Sequence, residues 1–222
     1  MGTGGGLPVS LVTATSGARG SEALAAALAT YAADEGRAAL LVEVGSGASP
    51  RRPTLLASPA ARRCETDLGG TASYAAARGL LCHFAAGDGA EGLECGAEAI
   101  ARLGECAGCV IHVEAALWLQ ALGYPGLWPR SALIRAELPR DRALAALAVR
   151  DLRDRGLAVR VAGRPLGWGA ARRALAGVRI GGADDARLRR WAAALLGSPG
   201  PPVARRGGSI ESLRAIAGHI RS

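Results

Sequence analysis

The stretch Val9-Ser-Leu-Val-Thr-Ala-Thr-Ser-Gly-Ala-Arg-Gly-Ser-Glu22 decides how this chain folds. Val9 to Thr13 is a short apolar run closed by a Gly/Ser loop, which predicts a buried strand. Ser21 stands at a helix N-cap position, with Glu22 in the first turn. The alanine-rich segment Ala23 to Asp34 is then a helix, stopped by Gly36. Ala38 to Val44 is a second apolar run, broken by the acidic Glu43 near its end. Strand, helix and strand within about 35 residues is the spacing of a right-handed βαβ unit, with parallel strands buried on both faces.

The pattern recurs toward the C-terminus. Cys109 to Val113 and Ala132 to Leu138 read as strands, and the second leads through Pro139 and Arg140 to Asp141, placed to cap a helix from Arg142 to Arg155. Gly156 ends that helix and Leu157 to Ala162 gives another strand. Helices are expected near Ala170 to Ala176 and Asp184 to Leu196. Between the second strand and Cys109 the chain predicts one or two helices, around Ser58 to Leu68 and Glu91 to Leu103, joined by a Gly-rich stretch without a clear course. The fold class expected is α/β, a three-layer sandwich with a mostly parallel sheet, over residues 1–196. Residues 197–208, with Ser198-Pro-Gly-Pro-Pro202, read as a linker. Beyond it Ser209 caps a final amphipathic helix, 209–222, with Ile210, Leu213, Ile216, Ala217 and Ile220 on one face.

Composition narrows the chemistry. All 27 Lys/Arg positions are arginine, and the formal charge is +8. Such a balance suits a polyanion such as nucleic acid. The arginines, however, stand singly or in pairs with few aromatics among them, as on solvated helical surfaces. No apolar run reaches the ~18 residues that a membrane span needs, and a soluble cytoplasmic protein is expected. Five cysteines, an odd number, argue against a secreted disulfide framework. Cys106-Ala-Gly-Cys109, with His112, Cys95, Cys82 and His83, has the residue types of a zinc site. Because Cys109 opens an apolar run, burial as small apolar side chains accounts for it.

The loop after the first strand offers backbone N–H groups and a helix N-terminus to an anion whatever its side chains. Here the chain resembles the deviant-Walker ATPases of ParA and MinD type, whose loop reads K-G-G-x-G-K-[ST]. Aligned without gaps, Thr15 takes the place of the signature lysine, Ser16 and Gly17 the glycine pair, Gly20 the phosphate lysine and Ser21 the magnesium-binding hydroxyl. Leu40-Leu-Val-Glu-Val44 is similar to the family's second strand with its acidic end. Cys109-Val-Ile-His-Val-Glu114 stands where a strand ending in a magnesium-linked aspartate belongs. The similarity covers roughly residues 8 to 165 and is one of layout.

The departures matter as much. Both lysine positions are lost and His112 replaces the aspartate, so the resemblance implies a P-loop fold with impaired hydrolysis. The anion-binding set is then Ser16, Gly17, Arg19, Gly20 and Ser21, with Glu43 nearby, and Arg19 is the one cation in the loop. The ligand it would take is ATP or another phosphate compound. Members of the superfamily with altered loops, such as the TadZ and CpaE like proteins that position pilus machinery, act as scaffolds, so a protein partner or self-association is expected. The alternative is an NAD(P)-dependent oxidoreductase. Leu11 to Gly20 is similar to the T-G-x-x-x-G-x-G loop of short-chain dehydrogenases, with Ala14 where the first glycine belongs. Glu43 is placed for a ribose hydroxyl, and Tyr74-Ala-Ala-Ala-Arg78 mimics the catalytic Y-x-x-x-K. His83, His112 and His219 look isolated.

Overall fold

The computed structural model describes residues 9–15, 20–34, 39–45, 62–65, 71–76, 80–102, 108–127, 129–176 and 180–196. In chain order the elements are β1 (Val9–Ala14), α1 (Ser21–Asp34), β2 (Ala39–Val44), β3 (Arg62–Glu65), β4 (Thr71–Ala76), β5 (Leu80–Gly87), α2 (Gly89–Arg102) and β6 (Gly108–Val113). They continue with α3 (Trp118–Gly123), β7 (Ser131–Arg135), α4 (Pro139–Asp154), β8 (Ala158–Ala162), α5 (Trp168–Leu175) and α6 (Ala183–Leu196).

One sheet runs through the molecule in the order β3-β4-β5-β2-β6-β1-β7-β8. The six strands from β5 to β8 in that order are parallel, and β4 and β3 extend the β5 edge as antiparallel strands. The parallel strands are apolar on both faces because helices cover both. Leu11, Leu40, Val42, Phe84, Ile111 and Ile134 pack against α2, α3 and α4. Val12, Leu41, Val110 and Leu133 face α1, α5 and α6. The three-layer α/β sandwich with a mostly parallel sheet is therefore observed.

Helix α1 is apolar on every side, and every residue from Ala23 to Ala33 is buried. A helix of that kind belongs in an interior. It lies between the sheet and α5 with α6, and Tyr31 ties it to the Asp185 carboxylate of α6 and to the Ile180 carbonyl (3.2 Å) just before that helix. The opposite layer is more open. Helix α4 begins with Pro139 in its first turn, and Asp141 is not the cap itself but reaches back to accept the Leu138 N–H at 3.0 Å. Gly156, at φ 84°, ends the turn after the helix and lets the chain enter β8.

The expectation that fails lies between β2 and α2. The predicted helix over Ser58 to Leu68 is contradicted where it is described, since Arg62–Glu65 is a strand paired with β4. The Gly-rich stretch is largely β4 and β5. Edge pairing with residues about ten positions away decided this segment, and local composition cannot register such pairing. Tyr74 lies in β4, and Arg78 lies outside the described residues. Gly36, the linker 197–208, the C-terminal segment 209–222 and His219 lie outside the described residues. Among the described residues, no helix is long and apolar enough to cross a membrane.

Candidate anion-binding site

The buried ionisable residues Glu43, His112 and Arg135 lie near the carboxyl ends of the parallel strands, the edge at which open α/β sheets bind ligands. Alternation along β2, β5 and β6 sends Glu43, His83 and His112 to the face covered by α1, opposite the apolar Val42, Phe84 and Ile111. The register then aligns them. Glu43 stands beside His112 across the β2/β6 pair, and Leu41 beside His83 across β2/β5. His83 Nε2 donates to the Glu43 carboxylate at 2.6 Å, and both side chains are buried. With the Glu43 carboxylate ionised, and so able only to accept, the donor in this bond is Nε2–H.

The first residue of α1 closes this row. Ser21 Oγ lies 2.9 Å from His112 Nε2, with both residues buried. Gly20, at φ 87°, turns the chain into the helix and its carbonyl accepts from the Leu24 N–H at 3.3 Å. On the other side of the loop, Thr15 donates its N–H (2.9 Å) and its hydroxyl (3.2 Å) to the Arg135 carbonyl. The two ends of the loop are thus fixed to β6 and β7. Ser16, Gly17 and Arg19 lie outside the described residues.

Three features of this edge were not foreseen in the sequence. His83 and His112 are not isolated, because each has a polar partner. A buried glutamate needs one, so Glu43 in an apolar strand was itself a signal that a donor lay on a neighbouring strand. Arg135 is fully buried, donates Nη1–H to the Ala162 carbonyl at 3.0 Å and has Nη2 3.2 Å from the Glu137 carboxylate. Burial pushes its guanidinium below the ordinary value and Arg187 acts in the same sense, while Glu137 and Asp141 oppose them. The clue was Glu137 two residues on, a spacing that places both side chains on one side of an extended chain. Finally, Glu114 packs over Gly45, where a Cβ would meet its Cγ at 2.2 Å, so only glycine fits there.

Glu43, the residue placed for a ribose hydroxyl, is engaged by His83 through Oε2. Cys95 and Cys109 sit apart, on α2 and β6. Burial, then Glu98 and Glu94, raise the Cys95 thiol above its ordinary value. Among the described residues no group of three His, Cys, Asp or Glu is placed to hold a metal ion.

Magnesium is the ion a P-loop would imply, and the residues present do not fit it. Mg²⁺ demands oxygen ligands in near-octahedral geometry. The serine hydroxyl that would contribute one is engaged by an imidazole instead of standing beside a carboxylate. No family model matches this chain, and no curated protein is detectably similar to it.

Proposed function

We propose that this chain is a catalytically impaired P-loop protein of ParA/MinD-like layout that works as a binding, scaffold or positioning module through self-association or a protein partner. The observation that carries the reading is the Ser21–His112 hydrogen bond. In P-loop NTPases the loop Ser/Thr and an aspartate on a neighbouring strand hold Mg²⁺, which neutralises charge on the transferring phosphoryl group. Here the matching hydroxyl and the matching strand position are joined directly. Imidazole brings no negative charge to a cation, and the chain has no lysine to replace what the cation would supply.

The strand order supports the same reading. In the dinucleotide-binding order 3-2-1-4-5-6 the first two strands are neighbours. In this sheet β6 lies between β1 and β2, which puts the strand bearing His112 beside the strand that leads into the loop. The backbone N–H groups of the loop and the start of α1 still suit a phosphate. Binding without turnover is what remains when the anion cradle persists and the metal chemistry is gone.

Calorimetric titration with ATP and with NAD, each in the presence of Mg²⁺, tests the proposal. ATP binding without turnover, or no binding of either compound, is compatible with a scaffold. Micromolar ATP binding with steady turnover defeats it, and NAD binding promotes the oxidoreductase. If phosphate binds at the loop, Arg19→Ala weakens it by roughly tenfold or more, the scale of one charge-assisted hydrogen bond. An unchanged affinity would place the anion elsewhere.

A further inference from the structure

Helix α4 carries a seam that is its own complement when reversed. Arg140, Leu144, Leu147 and Asp151 are separated by four, three and four residues, the spacing that keeps side chains on one side of an α-helix. All four are exposed, Leu144 by 54% and Leu147 by 68%. Leucines exposed singly are ordinary. These two instead line a groove of about 340 Å³ together with Trp118 and Leu119 of α3, and Leu119 is itself 63% exposed. Three exposed leucines thus meet in one place.

The charges at the two ends of the seam point to what covers it. Arg140 lies in the first turn of α4 and Asp151 near its last, whereas the helix dipole favours acids at the N-terminus and bases at the C-terminus. Their pairings within the chain are exposed ones of little energetic weight. Arg140 Nε stands 3.9 Å from the Asp141 carboxylate, and Asp151 stands 3.1 Å from Arg155 Nε. The stability of one helix does not call for this order, but a second α4 running the opposite way does. A two-fold axis midway between Leu144 and Leu147 sets Leu144 against the partner's Leu147 and Arg140 against the partner's Asp151, and symmetry repeats both contacts. Two leucine layers are then closed at each end by an ion pair. Moving the axis onto Leu147 would set Leu144 against the partner's Arg150, so the same residues also fix the register.

We infer that two copies of the chain associate through α4, antiparallel about an axis between Leu144 and Leu147, with each copy's leucines seated against the other's α3–α4 groove. This rests on the reading of the chain as a module that self-associates, and it assigns the surface. The groove reaches Thr15 at the end of β1, so the interface begins where that strand leads into the loop.

Sedimentation velocity of the full chain over a range of concentrations, read beside ATP turnover, tests this. A reversible dimer is expected. Arg140→Asp and Asp151→Arg each oppose like charges at both ends of the seam and should raise the dissociation constant about tenfold or more. The double variant restores opposite charges and should return it to within about threefold of the starting value. Both single changes set charges in the order the helix dipole favours, so the monomer fold should hold, as circular dichroism would check. Should a charge variant still fail to fold, Leu147→Ala at its exposed position decides, by weakening the dimer about tenfold. A chain that stays monomeric overturns the inference, as does a dimer that both single variants leave intact or that the double variant does not restore. A monomer without ATP turnover would leave the scaffold reading with a different partner. A charge-rescued dimer with steady turnover would refute that reading and keep the interface.

Discussion

Helices α1 and α4 lie on opposite faces of the one sheet, α1 over β2, β6 and β1 and α4 against β8, yet the sequence treats them differently. Along α1, between the sheet and α5 with α6, no residue from Ala23 to Ala33 reaches solvent, and its first residue is tied to β6 through His112. Helix α4 buries only one stripe, with Ala145 and Leu152 at its centre, has its start fastened by its own Asp141 to the Leu138 N–H and leaves Leu144 and Leu147 uncovered. The contrast teaches where this molecule spends its apolar residues. Helix α1 is interior scaffolding that holds the loop in place, whereas α4 is a surface helix with apolar side chains to spare.

That contrast can be broken by substitution. The largest effect is expected for Leu28→Ala, which empties a fully buried site in α1 and should cost about 2–5 kcal/mol in denaturant unfolding. A loss under about 1 kcal/mol would mean that α1 is not interior. Next is His112→Ala, which leaves the buried Ser21 hydroxyl without its partner and should cost about 1–3 kcal/mol. In a double-mutant cycle with Ser21→Ala the two losses should fall short of additivity, and strict additivity would mean that the bond contributes nothing. The smallest effect comes from one change made in both helices. Exposed Ala146→Gly in α4 should cost about 1 kcal/mol, the propensity difference alone. Buried Ala27→Gly in α1 should cost about 2 kcal/mol, because a packed methyl is lost as well. Equal losses would erase the difference between the helices.

The sequence disclosed both of these helices, but not every part of the sheet. Helix α1, its flanking strands and the β7–α4–β8 unit were legible because each combines a continuous apolar run with a punctuating Gly, Pro or acidic cap. β3 was not. Arg62-Arg-Cys-Glu65 has no alternation of polar and apolar residues, and it is a strand because β4 pairs with it. In the candidate site the places of Ser21, Glu43 and His112 along their elements were legible, because apolar runs mark those elements, while Ser16, Gly17 and Arg19 lie outside the described residues. Its wiring was hidden, because bonds such as His83 to Glu43 and Ser21 to His112 link residues 40 and 91 positions apart. Strand order creates those contacts, and no local pattern encodes that order. Arg135 was hidden for a similar reason, since the carbonyl that accepts from its Nη1, that of Ala162, lies 27 positions further on, at the end of β8.

In the function proposed for this chain, the loop after β1 has exchanged a metal-dependent chemistry for a fixed structural bond between Ser21 and His112. Phosphate release from ATP with Mg²⁺, monitored over many times the protein concentration, tests that exchange most directly. Release no faster than in buffer alone is the expected result, and steady multiple-turnover release that needs Mg²⁺ would contradict it.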